Sequence, residues 1–96
     1  MRVVLDGNRV KSEADLHREL ARLLDFGPHY GANLDALWDR LSTDVERPVH
    51  LYWAASAVSR AAIGSLVFDR IERVLRATVE QDAAFERTDC FTYELG

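Results

Sequence analysis

The segment "PVHLYW", residues 48–53, is β-branched and aromatic and lies mid-chain between two stretches of helical periodicity. It reads as a strand. A second apolar run, "RVVLDGN" at residues 2–8, is stopped by the turn signal Asp6-Gly7-Asn8, and a third, "CFTYEL" at 90–95, closes the chain. What separates the three decides how they pair. Between the first two, "SEADLHRELARLL" (12–24) opens with Ser12 as N-cap and Asp15 three residues on. Leu16, Leu20, Leu23 and Leu24 follow as one helical stripe. The Gly/Pro loop "DFGPHYGAN" (25–33) ends in Asn33, a cap for a helix carrying Leu34, Leu37, Trp38 and Leu41. Between the last two strands, "AASAVSRAAIG" (54–64) reads as a short helix ended by Gly64. "SLVFDRIERVLRATVEQ" (65–81) reads as a longer one, with Val67, Phe68, Ile71, Val74, Leu75 and Thr78 at helical spacing. Strands separated by helices cannot form hairpins. The expected fold is α/β, a small three-stranded parallel sheet packed against about four helices. Residues 82–89, "DAAFERTD", receive no element.

The chain of 96 residues is expected to form a single domain spanning residues 1–96. Apolar residues make up 48% and charged residues 29%, a globular rather than a disordered balance. Arg2 and Asp6 interrupt any apolar signal region, and Arg60 interrupts the longest apolar stretch, so no membrane span and a cytoplasmic location are expected. The lone Cys90 excludes an internal disulfide, fits a reducing compartment and reads as a small buried residue. A formal net charge of −4 argues against direct nucleic-acid binding and for a basic partner. The acid is local: residues 33–46 hold Asp35, Asp39, Asp44 and Glu46 against Arg40, a net −3.

At 100° per residue, Leu34, Leu37, Trp38 and Leu41 share an arc of roughly 100°, whereas Asp35 and Asp39 fall together on another side. Trp38 is therefore expected in the core, where truncation to alanine would cost about 3–5 kcal/mol. The two carboxylates are expected to face outward. Compensation of the helix dipole accounts for Asp35 in the first turn. It does not account for Asp39, whose like charge at i+4 costs a few tenths of a kcal/mol.

In these residues the chain resembles the barstar family of ribonuclease inhibitors. The resemblance is carried by "DLH" (15–17), the "YG-N-LDALWD" framework (30–39) and "VERP" (45–48) followed by Trp53. It implies the same three-stranded α/β fold, no enzymatic activity, and a loop and helix that plug the active site of a secreted microbial ribonuclease. Carried onto this chain, the implied binding face is His29, Tyr30, Gly31, Asn33, Asp35, Asp39, Thr43 and Asp44, with Asp39 as the anchor in the phosphate pocket. The family's best-known member has tyrosine where this chain has His29, and glycine-tryptophan where it has Thr43-Asp44. It also contributes an acid from the last helix. Arg76 and Ala77 fall near that position here, and Glu80 is the nearest acid on the following turn.

No catalytic motif, cofactor motif or metal-ligand spacing is present: His17, His29 and His50 form neither HxxxH nor HExxH, and one cysteine cannot build a structural zinc site. His17 reads as a hydrogen-bonded core or boundary residue, His50 as a strand residue, and Tyr52 and Trp53 as sheet and core packing. Arg70, Arg73 and Arg76 alternate with Asp69 and Glu72 and read as a solvated, ion-paired face. The expected partner is a basic secreted ribonuclease or a nuclease toxin domain, bound by a chain that is monomeric when free. An immunity protein against a delivered toxin is a close variant. A generic acidic interaction domain, and a metal-binding or acid-base aspartate pair, are the readings from other classes.

Overall fold

A computed structural model describes residues 1–96. Strand β1 (Arg2–Asp6) leads through a 3-10 turn (Gly7–Arg9) to helix α1 (Glu13–Leu24), and α2 (Leu34–Asp39) continues into a π-helical turn over Arg40–Asp44. Strand β2 (Val49–Ala54), helices α3 (Ser56–Ile63) and α4 (Ser65–Ala84) and strand β3 (Phe91–Leu95) follow. The sheet order is β1-β2-β3 and both ladders are parallel, pairing Val3 with Leu51 and Leu51 with Tyr93. This is the expected three-stranded α/β architecture with four α-helices.

Alternation places Val3, Leu5, Val49, Leu51, Trp53 and Phe91 on one buried face, where they meet Leu16, Leu20, Leu37, Leu41, Phe68, Ile71 and Leu75 from the helices. The opposite face is polar: the Arg2 guanidinium stacks on Tyr52, and His50 Nδ1 shares a 2.8 Å hydrogen bond with Thr92 Oγ1. Parallel sheets are commonly covered on both sides. Here the open side is dressed with polar groups instead. The sheet closes tightly on α3, because Gly7 lies so near the Ala54 and Ala55 carbonyls that a Cβ there would collide with backbone. Trp53 Nε1 donates to Ser59 Oγ, which in turn donates to the Gly7 carbonyl, so no polar atom of this contact is orphaned.

Helix α1 begins as expected at Ser12, whose Oγ accepts from the Asp15 N–H at 3.0 Å; the Asp15 carboxylate reaches back to the Lys11 N–H rather than to that of Ser12. Leu16 and Leu20 are buried, and Leu23 and Leu24 are half-buried against the core. Helix α4 runs three residues beyond the expected end, to Ala84, because Asp82 has a structural task there. Its carboxylate accepts from Arg47 Nε at 3.0 Å, Arg47 Nη2 at 3.1 Å and the Phe91 N–H at 2.7 Å. Both side chains of this pair are almost fully buried. The stretch without an expected element is thus the latch between α4, β3 and the segment entering β2.

Two expectations are corrected. Cys90 precedes β3 and is only half-buried, its thiol donating to the Arg87 carbonyl, because the strand begins at Phe91 where the buried face starts. Trp38 is not a core residue. Leu37 and Leu41 point inward, while Trp38 stands at the edge of the apolar arc and is half-exposed, flanking a groove between α2 and α4. A half-buried tryptophan forfeits less than a core one, so Trp38→Ala should cost about 1–2 kcal/mol rather than the 3–5 kcal/mol of full burial. The check is direct, since Trp53 is fully buried. Acrylamide should quench wild-type emission through Trp38, and Trp38→Phe should leave a blue-shifted, weakly quenched spectrum.

Candidate protein-binding site

Residues 25–44 form one continuous exposed ridge, held from beneath. Asp25 leaves α1 in the left-handed conformation (φ 55°), and Phe26 is buried under the loop. Tyr30 packs on Phe26, with ring centroids 4.7 Å apart, and its hydroxyl bonds His17 Nδ1 at 2.7 Å. His17 is buried and its Nε2 meets Glu13 Oε2 at 2.9 Å, as the reading of a hydrogen-bonded core histidine requires. Burial pushes the Tyr30 hydroxyl up to about 12, against the opposing pull of the Arg40 charge. Tyr30 is therefore a neutral strut at neutral pH. Arg40 adds a second tie, donating from Nη1 to the Phe26 carbonyl at 2.7 Å.

The helix that follows is tightly capped. Asn33 Oδ1 accepts from the Ala36 N–H at 2.8 Å, and its Nδ2 donates to the Gly31 carbonyl. Gly31 lies so close to Ala36 that an added Cβ would sit 3.2 Å from the Ala36 Cβ. Along the π-helical turn at the far end, the Ser42 and Thr43 hydroxyls donate to the carbonyls of Trp38 and Asp39 at 2.6 Å each. Single π-turns of this kind are rare inside helices and occur frequently at functional sites.

On this scaffold His29, Gly31, Asn33, Asp35, Asp39, Thr43 and Asp44 are exposed and Tyr30 is half-buried. Asp44 is engaged by Arg40 at 3.6 Å. Asp35 and Asp39 differ from the rest: neither carboxylate has a hydrogen-bond or ion-pair partner within the chain. Glu80 stands apart, exposed on α4, outside the groove and unlinked to residues 29–44. No cluster of three or more histidine, cysteine, aspartate or glutamate side chains is arranged to hold a metal ion. No helix is long and apolar enough to cross a membrane.

The groove beside the ridge was not anticipated. Leu34, Asp35 and Trp38 form one wall and Arg70, Arg73, Val74 and Ala77 the other, around a volume of about 400 Å³. The expected ion-paired arginine face is only partly present. Arg76 meets Glu72 at 3.3 Å, but Asp69 turns to Arg60 at 2.9 Å, which leaves Arg70 and Arg73 exposed without a carboxylate. The excess of arginine over acid in residues 69–76 was the available signal.

The sheet order, the capped α2 and the exposed acidic ridge define a small α/β domain of the kind the sequence resembles. The chain belongs to the barstar family: the family model described as Barstar (barnase inhibitor) matches residues 1–95. It is 34% identical over 85 residues to the Bacillus subtilis (strain 168) protein YrdF, provisionally named a ribonuclease inhibitor, an alignment covering 88% of this chain and 93% of that protein.

Proposed function

We propose that the chain is a non-catalytic inhibitor of a basic microbial ribonuclease, acting in the cytoplasm as a single-domain monomer that occludes the nuclease active site with residues 29–44. The observation that carries this reading is the pair of exposed, internally unpartnered carboxylates, Asp35 and Asp39, one turn apart on a capped helix. A ribonuclease cleft holds a polyanion with cationic side chains, and carboxylates can accept bidentate bonds from arginine as phosphates do. The ties from Tyr30, Asn33 and Arg40 hold the ridge in shape before encounter, which lowers the ordering cost of binding. Family membership and the name of the Bacillus relative support the same reading. The partner is the cell's own exported ribonuclease or a delivered nuclease toxin.

The test is RNA cleavage by a panel of basic ribonucleases and toxin nucleases, including products of adjacent genes, titrated with the chain. Inhibition should reach completion at a 1:1 ratio. Association should slow as salt rises from low to physiological strength while dissociation changes less, since steering is screened over a Debye length of roughly 8–10 Å and contacts are not. Failure against every basic nuclease would overturn the reading.

A further inference from the structure

The groove between α2 and α4 carries a charge that an acidic phosphate mimic does not need. Every other arginine is engaged by a carboxylate, or in the case of Arg2 by the Tyr52 ring. Arg70 and Arg73 alone have neither, although Asp35 lines the same groove. They lie one turn apart on one face of α4, opposite the half-exposed indole of Trp38. Two free guanidinium groups beside a flat apolar surface suit a carboxylate on a short apolar stem. Guanidinium groups bind carboxylates in a planar fork, and the indole accommodates the methylene groups. A polyanion such as RNA fits poorly, because Asp35 and Asp39 stand on the adjoining ridge and would repel its next phosphates.

We propose that this groove is a specificity-determining contact that receives an aspartate or glutamate from the rim of the nuclease active site. The contact rests on the inhibitory reading above and adds to it. The inhibitor face is then not uniformly acidic: negative along the ridge, whose Asp35 reaches the α2 wall of the groove, and positive on the α4 wall. A partner must match both signs in that order. Nucleases with a cationic cleft but no rim carboxylate are attracted and then held weakly, which is how like attraction with unlike retention produces selectivity.

The sign of the effect makes the proposal testable. For a basic partner, general electrostatics predicts that Arg70→Glu/Arg73→Glu binds faster and at least as tightly, because each reversal makes an acidic inhibitor more acidic. The proposal predicts the opposite in equilibrium. Dissociation from an inhibited nuclease should accelerate at least about tenfold, with association unchanged or faster. Arg70→Gln/Arg73→Gln should give a smaller loss, and a carboxylate-to-lysine substitution on the nuclease rim should restore binding to the Glu variant. Melting temperatures should stay near wild type, since both arginines are exposed and unpaired. Three outcomes overturn it. If the wild-type chain inhibits no basic nuclease, the inhibitory reading falls and the groove proposal falls with it. If Asp39→Ala fails to inhibit while the Glu variant binds as tightly as wild type, the groove proposal alone falls. If the free chain binds single-stranded RNA in a manner lost in the Glu variant, the groove is a nucleic-acid contact instead.

Discussion

Asp39→Ala should yield a folded protein that no longer inhibits its nuclease. The side chain is exposed and makes no hydrogen bond or ion pair within the chain; what Asp39 gives the fold is its carbonyl, the acceptor for Thr43 Oγ1, and alanine retains that. Removing the carboxylate also relieves like-charge repulsion from Asp35 at i,i+4, and alanine is the better helix former. Stability should therefore stay within about 1 kcal/mol, with the change in the stabilising direction. Affinity moves the other way. A nuclease pocket built for phosphate would be buried with its cations unmatched, which costs about 3–5 kcal/mol when one partner of a buried pair is removed. That size is the general one for buried charge pairs, a set to which complexes of this family contribute. Asp35→Ala should follow in the same direction with a smaller loss of affinity. It should cost slightly more stability, because its charge sits in the first turn of α2. Thermal melts and inhibition titrations on the two variants check this. An Asp39→Ala protein that melts like wild type and inhibits like wild type would falsify the anchor assignment.

The largest loss of stability should come from Asp82. Burial pushes its carboxyl up, but the bonds from Arg47 and the Phe91 N–H, with the charges of Arg47 and Arg87, outweigh burial and hold it below the usual carboxylate value. Asp82→Ala strands the Arg47 guanidinium in the interior and leaves the Phe91 N–H unmatched, at a cost of about 3–5 kcal/mol out of the ~5–15 kcal/mol available to a small domain. A group whose value is depressed by folding stabilises above its unfolded value and loses that contribution as pH falls through its folded one. Wild type should therefore lose stability below about pH 4, and the difference between wild type and Asp82→Asn should shrink over the same range. Urea unfolding at pH 7 and pH 3 measures both. The double variant Arg47→Met/Asp82→Leu should recover the part of the loss due to the stranded guanidinium, while the Phe91 N–H stays unmatched.

What the sequence disclosed and what it withheld differ in kind. Asn33 before an apolar run, Ser12 before another and a β-branched segment between helices are local statements, and each of these elements formed where expected. Trp38 shows the limit of periodicity. A wheel places it on the apolar arc, but burial depends on what α4 lays against that edge, and Arg70 and Arg73 stand there with their charges. The Arg47–Asp82 latch spans 35 residues and follows no repeat. Nothing in either segment alone announces it. For the ridge itself, the outward placement of Asp35 and Asp39 is legible in the helical spacing, while their internal isolation follows only from the fold.

The ladders also make both strand pairings non-local. Arg2 aligns with His50 and Val49 with Phe91, so neither pairing can start from a tight turn, and each must await closure of a loop of roughly 40–50 residues. Strand β1 and strand β2 enclose the whole ridge between them. Once residue 54 has left the ribosome, the segment from Arg2 to Ala54 holds every residue of the acidic face, whereas the arginine wall of the groove arrives only with α4. Synthesis thus delivers the acidic face before the arginine wall. A stalled or truncated chain would carry the carboxylates without their selective counterpart, and without the Phe68, Ile71 and Leu75 side chains that close the core over β2.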